Sequence, residues 1–332
     1  KSGVKIYKCH PEVLEGRQLR HNILVRKLSL ASENHLTYKK INGVIPILQT
    51  PFDNNGGIDT TGLRAVVEYN IDAGVNGVGI ALASEVQLFN EAERDLLLKT
   101  VVDQTNARVP VVMNTGAGGT DLAVYYSKRA EELGVDAVMI TPPNSGVGSS
   151  NPEAIRQYFR SIANAVNVSV ALQDVQFAQV APQMVAEMSN ELENIVACKM
   201  ETPPTAARIA ATVEAVQGKI TVLGGGGATY LMEELSRGST GTMPFSSTPA
   251  EFVEVFKLYK NGDIEGATEL FNLRIAPLCH LVSQAPELAI GFHKQILKKR
   301  GLIESATVRE PAAKPDKHTQ RDIDALLERV IV

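Results

Sequence analysis

From Val44 onward the chain alternates two hydrophobic rhythms. Short, nearly unbroken apolar runs occur at VIPILQT (44–50), GVGIAL (77–82), VPVVMNTG (109–116), AVMITP (137–142), VSVALQD (168–174), IVACKME (195–201), ITVLGGG (220–226) and GTMPFS (241–246). Strands buried on both faces use runs of this kind. Between them lie longer segments such as TTGLRAVVEYNIDAG and DLAVYYSKRAEELG. These carry apolar residues at helical spacing and end in glycine, a helix stop signal. Eight evenly spaced strand–helix pairs predict an α/β fold, a (β/α)8 TIM barrel over residues 41–262. After the eighth strand come AEFVEVFKLYKNG, IEGATELFNLRIAPLCHLV, PELAIGFHKQILKKRG and HTQRDIDALLERV. The last three predict a C-terminal helical extension over 263–332.

Composition changes this picture little. The chain has 332 residues, 44% hydrophobic and 21% charged, an ordinary globular balance. No apolar run reaches the roughly 18–20 residues of a membrane helix. A net charge of −4 gives no footing for nucleic acid. Charge is uneven, however: residues 1–40 hold nine Lys/Arg and three Asp/Glu. That segment is expected to be a basic, disordered extension of a cytoplasmic protein, with a mitochondrial transit peptide as the alternative. Three distant cysteines, Cys9, Cys198 and Cys279, argue against a disulfide scaffold or a zinc site. No histidine lies between residues 41 and 270, so a barrel site has neither a Ser-His-Asp triad nor a histidine metal cluster. No metal or organic cofactor is expected.

Barrel sites form at the C-terminal ends of the strands. Between residues 41 and 245 there are four lysines, and Lys199 alone falls on a predicted strand. Apolar neighbours disfavour the charged form of an amine, and a neutral amine attacks carbonyl carbon to form a Schiff base. Glu201, two residues on, faces the same side. It is placed either as a base beside an iminium or as the partner in a structural ion pair. The GGGG run at 224–227, including Gly225, follows strand seven. Barrels often bind phosphate there, but close backbone approach without phosphate is the favoured reading. After strand two, Ser84-Glu85 offers a hydroxyl and backbone amides to a carboxylate, or simply a helix-entry turn.

These residues resemble the dihydrodipicolinate synthase / N-acetylneuraminate lyase superfamily. The resemblance covers roughly residues 41–330. It rests on Thr50-Pro51-Phe52 ending strand one, a strand-six lysine, a strand-two loop ending in Glu before ERDLL, and a helical tail. It implies that Lys199 forms a Schiff base with a 2-oxo acid. Dihydrodipicolinate synthases carry GTTGE after strand two, where this chain has ALASE (81–85). Their strand-five Tyr and Arg correspond to Gln173 and Ala178 here, and their TPYYN to TPPNS (141–145), so the usual interlocking dimer aromatic is absent at Asn144. The Ser-Glu after strand two, LQD after strand five and K-x-E-T-P after strand six are similar to the L-2-keto-3-deoxyarabonate dehydratase branch. That resemblance implies Lys199 and Glu201 as catalytic residues and Ser84 and Gln173 as substrate-binding residues; Ala83, Thr50 and Gly225, which fall at the barrel mouth, are expected to join them in binding substrate. The expected activity is dehydration of 2-keto-3-deoxy-L-arabonate to 2,5-dioxopentanoate. An aldolase acting on another 2-oxo acid and a non-catalytic binding barrel are the alternatives. The implied partner is a small-molecule 2-oxo acid, with no nucleic acid or membrane, and the implied assembly a homo-oligomer, tetramer or dimer.

Overall fold

The structure, a computed structural model, describes residues 38–143 and 151–330. The expectations for residues 1–37 and for Asn144 lie outside the described residues.

Eight parallel strands form one sheet: β1 (Gly43–Val44), β2 (Val78–Ile80), β3 (Val111–Asn114), β4 (Ala137–Ile140), β5 (Ser169–Asp174), β6 (Ile195–Met200), β7 (Thr221–Gly224) and β8 (Gly241–Thr242). Their order is β1-β8-β7-β6-β5-β4-β3-β2. Ile47 closes the ring by pairing in parallel with both Phe245 and Gly79. The barrel is therefore the predicted one. β1 and β8 are shorter than their apolar runs because Pro46 and Pro244 carry no N–H for the ladder. Pairing resumes beyond them, with the Ile47 N–H donating to the Pro244 carbonyl at 2.7 Å.

Helices cover the outside: α1 (Thr60–Asp72), α2 (Glu91–Thr105), α3 (Thr120–Glu132), α4 (Pro152–Ala163), α5 (Pro182–Glu191), α6 (Thr205–Val216), α7 (Leu231–Ser236) and α8 (Pro249–Lys260). Gly74 and Gly134, after α1 and α3, sit at φ +83° and +89°, so the helices stop where the left-handed turn needs glycine. One apolar core fills the space between strands and helices. A second fills the barrel interior with Ile45, Val112, Met139, Ala171, Ala197 and Leu223 among its members. Side chains alternate along a strand. The next inward positions after Val112, Ala171 and Ala197 are therefore Asn114, Gln173 and Lys199, a polar layer above an apolar plug.

Past the barrel come α9 (Ile264–Leu270), α10 (Ala276–Gln284), α11 (Ala289–Lys299) and α12 (Lys317–Val330). Leu278, Phe292, Ile296, Ile323, Leu326 and Leu327 pack α10, α11 and α12 together. Among the described residues, no helix is long and apolar enough to cross a membrane.

Candidate active site

Lys199 is 4% exposed, and its Nζ lies 3.0 Å from Glu201 Oε1. Glu201 sits one residue past β6, but its N–H still donates to the Asp174 carbonyl at 3.0 Å, which holds it in strand geometry. Both oxygens of its carboxylate are held by further donors. Oε1 also accepts the Gly226 N–H at 2.7 Å, and Oε2 accepts Gln173 Nε2 at 2.6 Å. Gln173 is in turn fixed from behind, its Oε1 accepting Asn114 Nδ2 at 2.8 Å. Asn114 Oδ1 accepts the Gly116 N–H at 3.1 Å. Three strands thus contribute one chain of hydrogen bonds, Asn114 to Gln173 to Glu201, that ends at the Lys199 amine. The chain also assigns the Gln173 amide: its NH2 faces the carboxylate.

The glycine run explains how the carboxylate fits. A Cβ on Gly225 would lie 2.3 Å from Glu201 Cγ, so only glycine leaves room. Gly225 does not line the cavity itself. The Gly226 N–H is committed to Glu201, which accords with the backbone-approach reading of the run.

Lys199, Glu201 and Gln173 open onto a cavity of about 350 Å³ at the barrel mouth. Its other walls include Ala81, Leu82, Ala83, Phe245, Thr229 and Ser283. Phe245 is held by stacking on His293 at 3.9 Å between ring centroids. Burial pushes the His293 imidazole down to about 3, so it remains neutral, and its Nδ1 pairs with the Ser247 hydroxyl at 2.7 Å. Among the described residues, no group of three His, Cys, Asp or Glu side chains is arranged to hold a metal ion.

Of the predicted substrate-binding residues, Ala83 and Gln173 line this cavity. Ser84 and Thr50 are buried behind it. The Ser84 hydroxyl donates to the Leu48 carbonyl and accepts the Ala81 N–H at 3.1 Å. Thr50 Oγ1 donates to the Ser84 carbonyl at 2.7 Å. These two hydroxyls shape the strand-two turn rather than face a ligand. Glu85 also turns inward, at φ 62°. Its carboxylate pairs with Lys294 of α11, which is fully buried, and accepts the Arg309 N–H at 2.6 Å. Burial pulls the Lys294 amine down to about 8, against the opposing pull of Glu85.

Sequence reasoning did not single out Asn114, Lys294 or Glu234. Glu234 on α7 is 1% exposed, and neither carboxyl oxygen receives a hydrogen bond from a described residue. Burial pushes its carboxyl up to about 7. A signal existed for two of them. Glu234 follows Leu231 by three residues and Lys294 precedes Leu297 by three, so each polar residue stands in the apolar phase of its helix.

Comparison with known proteins identifies relatives of this chain. The sequence model of the Dihydrodipicolinate synthetase family matches residues 40–330. The chain is 27% identical over 296 residues to an L-2-keto-3-deoxyarabonate dehydratase of Azospirillum brasilense, covering 87% of this chain and 94% of that one. It is 29% identical over 248 residues to a 4-hydroxy-tetrahydrodipicolinate synthase of Methanococcus maripaludis, covering 73% of this chain and 83% of that one. Its fold matches a prophage protein of the dihydrodipicolinic acid synthase family from E. coli K12, solved in complex with pyruvate, with a TM-score of 0.81 at 22% identity, covering 88% of this chain and 99% of that one. With its barrel, its helical tail and a match over nearly all the described residues, the chain belongs to the dihydrodipicolinate synthetase family, whose members are lyases.

Proposed function

We propose that the protein is a Schiff-base lyase that dehydrates a 2-keto-3-deoxy sugar acid, with 2-keto-3-deoxy-L-arabonate as substrate and 2,5-dioxopentanoate as product. The observation that carries this is the composition of the layer around Lys199. A carboxylate, Glu201, stands 3.0 Å from the amine, and an amide, Gln173, stands where a phenol would serve carbon–carbon cleavage. Retro-aldol cleavage needs a base on the C4 hydroxyl. Dehydration needs a base at C3 and an acid at C4, and Glu201 supplies both in turn.

The proton count closes. Glu201 takes a proton from the Lys199 ammonium, and the neutral amine adds to C2. Glu201 returns that proton to the carbinolamine hydroxyl, which leaves as water and gives the iminium. The iminium acidifies C3–H, and Glu201 removes that proton to give the enamine. The enamine expels the C4 hydroxyl, which takes the proton back from Glu201 and leaves as a second water. Glu201 then removes a C5 proton from the conjugated iminium, and protonation at C3 leaves a C4–C5 enol that becomes the aldehyde. Hydrolysis of the iminium consumes one of the two waters and frees Lys199. Gln173, held by Asn114, keeps the carboxylate aimed through these steps without titrating itself. In this reading the Ala81–Ala83 backbone receives the substrate carboxylate, and the Ser84 hydroxyl shapes that turn rather than touching substrate. The chain works as a homo-oligomer, which light scattering of the purified protein tests.

An aldol reaction on a pyruvate adduct is the second reading. It is favoured by the apolar cavity walls Leu82, Ala83 and Phe245, which suit an aldehyde with an apolar tail. Product analysis separates the two. Incubation with 2-keto-3-deoxy-L-arabonate yields 2,5-dioxopentanoate if the enzyme dehydrates. Pyruvate and glycolaldehyde would instead make it an aldolase.

A further inference from the structure

Two adjacent glycines at the end of β7 separate two carboxyl groups. Glu201 lies against Gly225 on the barrel side, 2.3 Å from the place a Cβ would take. Glu234 lies against Gly224, its Oε2 1.9 Å from the place of that residue's Cβ. Successive strand residues face opposite ways, and Leu223 points into the barrel, so Gly224 presents its free face outward, toward α7. The strand end is therefore a wall one backbone thick, bare of side chains where a carboxyl touches each face.

The two carboxyls are treated very differently. Glu201 has a cation and two N–H donors. Neither Glu234 oxygen has a partner of good hydrogen-bond geometry among the described residues, and the Thr205 hydroxyl at the start of α6, which pulls the carboxyl down, is outweighed by burial. An ionised carboxylate buried without donors is costly, so such a group keeps its proton. The charged groups facing Glu234 are Glu201 and Lys199 across the wall and its neighbour Glu233 on α7, while β7 offers only glycine.

We infer that Glu234 is a positioning residue for the Schiff-base site: a neutral carboxylic acid behind the Gly224–Gly225 wall, whose ionisation would tilt the Lys199–Glu201 pair toward the ammonium form and slow imine formation. This rests on the Schiff-base reading of Lys199. While Glu234 is neutral, Glu201 is the one carboxylate whose charge acts on Lys199 at this wall. A second negative charge behind the wall raises the affinity of the whole Lys199–Glu201 pair for its proton, so less of the amine is free to attack at a given pH. The effect belongs to pH above about 7, where the Glu234 carboxyl, raised chiefly by burial and further by Glu201, begins to ionise.

The test compares wild type with Glu234→Gln, which keeps shape and removes the ionisation. The first readout is the rate of imine formation with pyruvate as the probe, trapped with borohydride across the pH range. Near pH 6 the two proteins should match. Near pH 8.5 the variant should form imine faster by about three- to tenfold. The second readout is thermal unfolding, which needs no chemistry. The unfolded chain loses this proton near 4.5 and the folded chain near 7, so the folded state holds the extra proton between those values. Wild-type stability relative to the variant should therefore fall as pH rises through that window. Should Glu234→Gln not fold, Glu234→Met, similar in length and uncharged, takes its place in both series. A stability difference independent of pH overturns the neutral acid. Adducts whose pH profiles superimpose, or a variant slowed equally at every pH, overturn the role at Lys199. No wild-type adduct at any pH overturns the Schiff-base reading itself, and with it the link to Glu234.

Discussion

At the scale of single residues, the proposed reaction turns on Glu201. Among the described residues it is the carboxylate in contact with the Lys199 amine, and three donors fix both its oxygens. Glu201→Gln should still allow an adduct on Lys199, formed more slowly with water carrying the protons, but turnover should fall by about 10²- to 10⁴-fold, as loss of a general acid–base group does. Trapping and steady-state rates on the same variant check both halves. Asn114→Leu acts one step away. It leaves the Gln173 carbonyl without its donor, frees the amide to rotate and loosens the base. We expect kcat to drop roughly 10- to 100-fold, with KM for substrate nearly unchanged. The Lys199–Glu201 pair was legible in the sequence because a lysine on an otherwise apolar strand stands out, and i, i+2 spacing puts the two on one face. Ser84 and Thr50 were not legible in the same way. A hydroxyl gives no sequence signal of whether it points at a cavity or back at its own turn, and here both satisfy backbone atoms of the strand ends.

At the scale of elements, the strands were readable as apolar runs and the helices as periodic ones, down to the glycines that end α1 and α3. Strand ends were less readable, because a run such as GTMPFS continues apolar past Pro244, where the ladder loses a donor. The glycine run after β7 shows what sequence alone leaves open. At Gly224 and Gly225 the need for glycine comes from side chains that arrive from elsewhere, Glu234 and Glu201, each occupying Cβ space, while Gly226 and Gly227 sit at φ +56° and +68°. Gly225→Ala should therefore displace Glu201 rather than unfold the barrel. We expect a stability loss of about 1–3 kcal/mol together with loss of nearly all turnover. Gly119→Ala, where no atom lies within 4 Å of the new methyl, is the matched control and should leave kcat unchanged. Circular dichroism melts and product assays on the pair separate the two effects.

At the scale of the whole molecule, the C-terminal helices are tied to the barrel mouth through buried charge. Lys294 on α11 pairs with Glu85, donates to the Thr307 carbonyl at 2.8 Å and sits 4.2 Å over the Phe52 ring. Arg309 adds its N–H to Glu85 and an ion pair to Glu93 at 2.8 Å. The tail thereby fixes the strand-two turn whose backbone lines the cavity. Lys294→Met strands the Glu85 carboxylate and should cost about 3–5 kcal/mol. Lys294→Met with Glu85→Gln, which removes the charge as well, should recover part of that, as read from urea melts. This coupling spans more than two hundred residues, so local patterning could not announce it, although a buried-phase lysine in α11 marked one end.

The account stands on one covalent bond. Borohydride added during turnover of 2-keto-3-deoxy-L-arabonate, read by intact mass and peptide mapping, tests it most directly. The account predicts a single reduced adduct on the peptide containing Lys199, absent in Lys199→Met. An adduct on another lysine, or a protein that turns the substrate over with Lys199 unmodified, would contradict it.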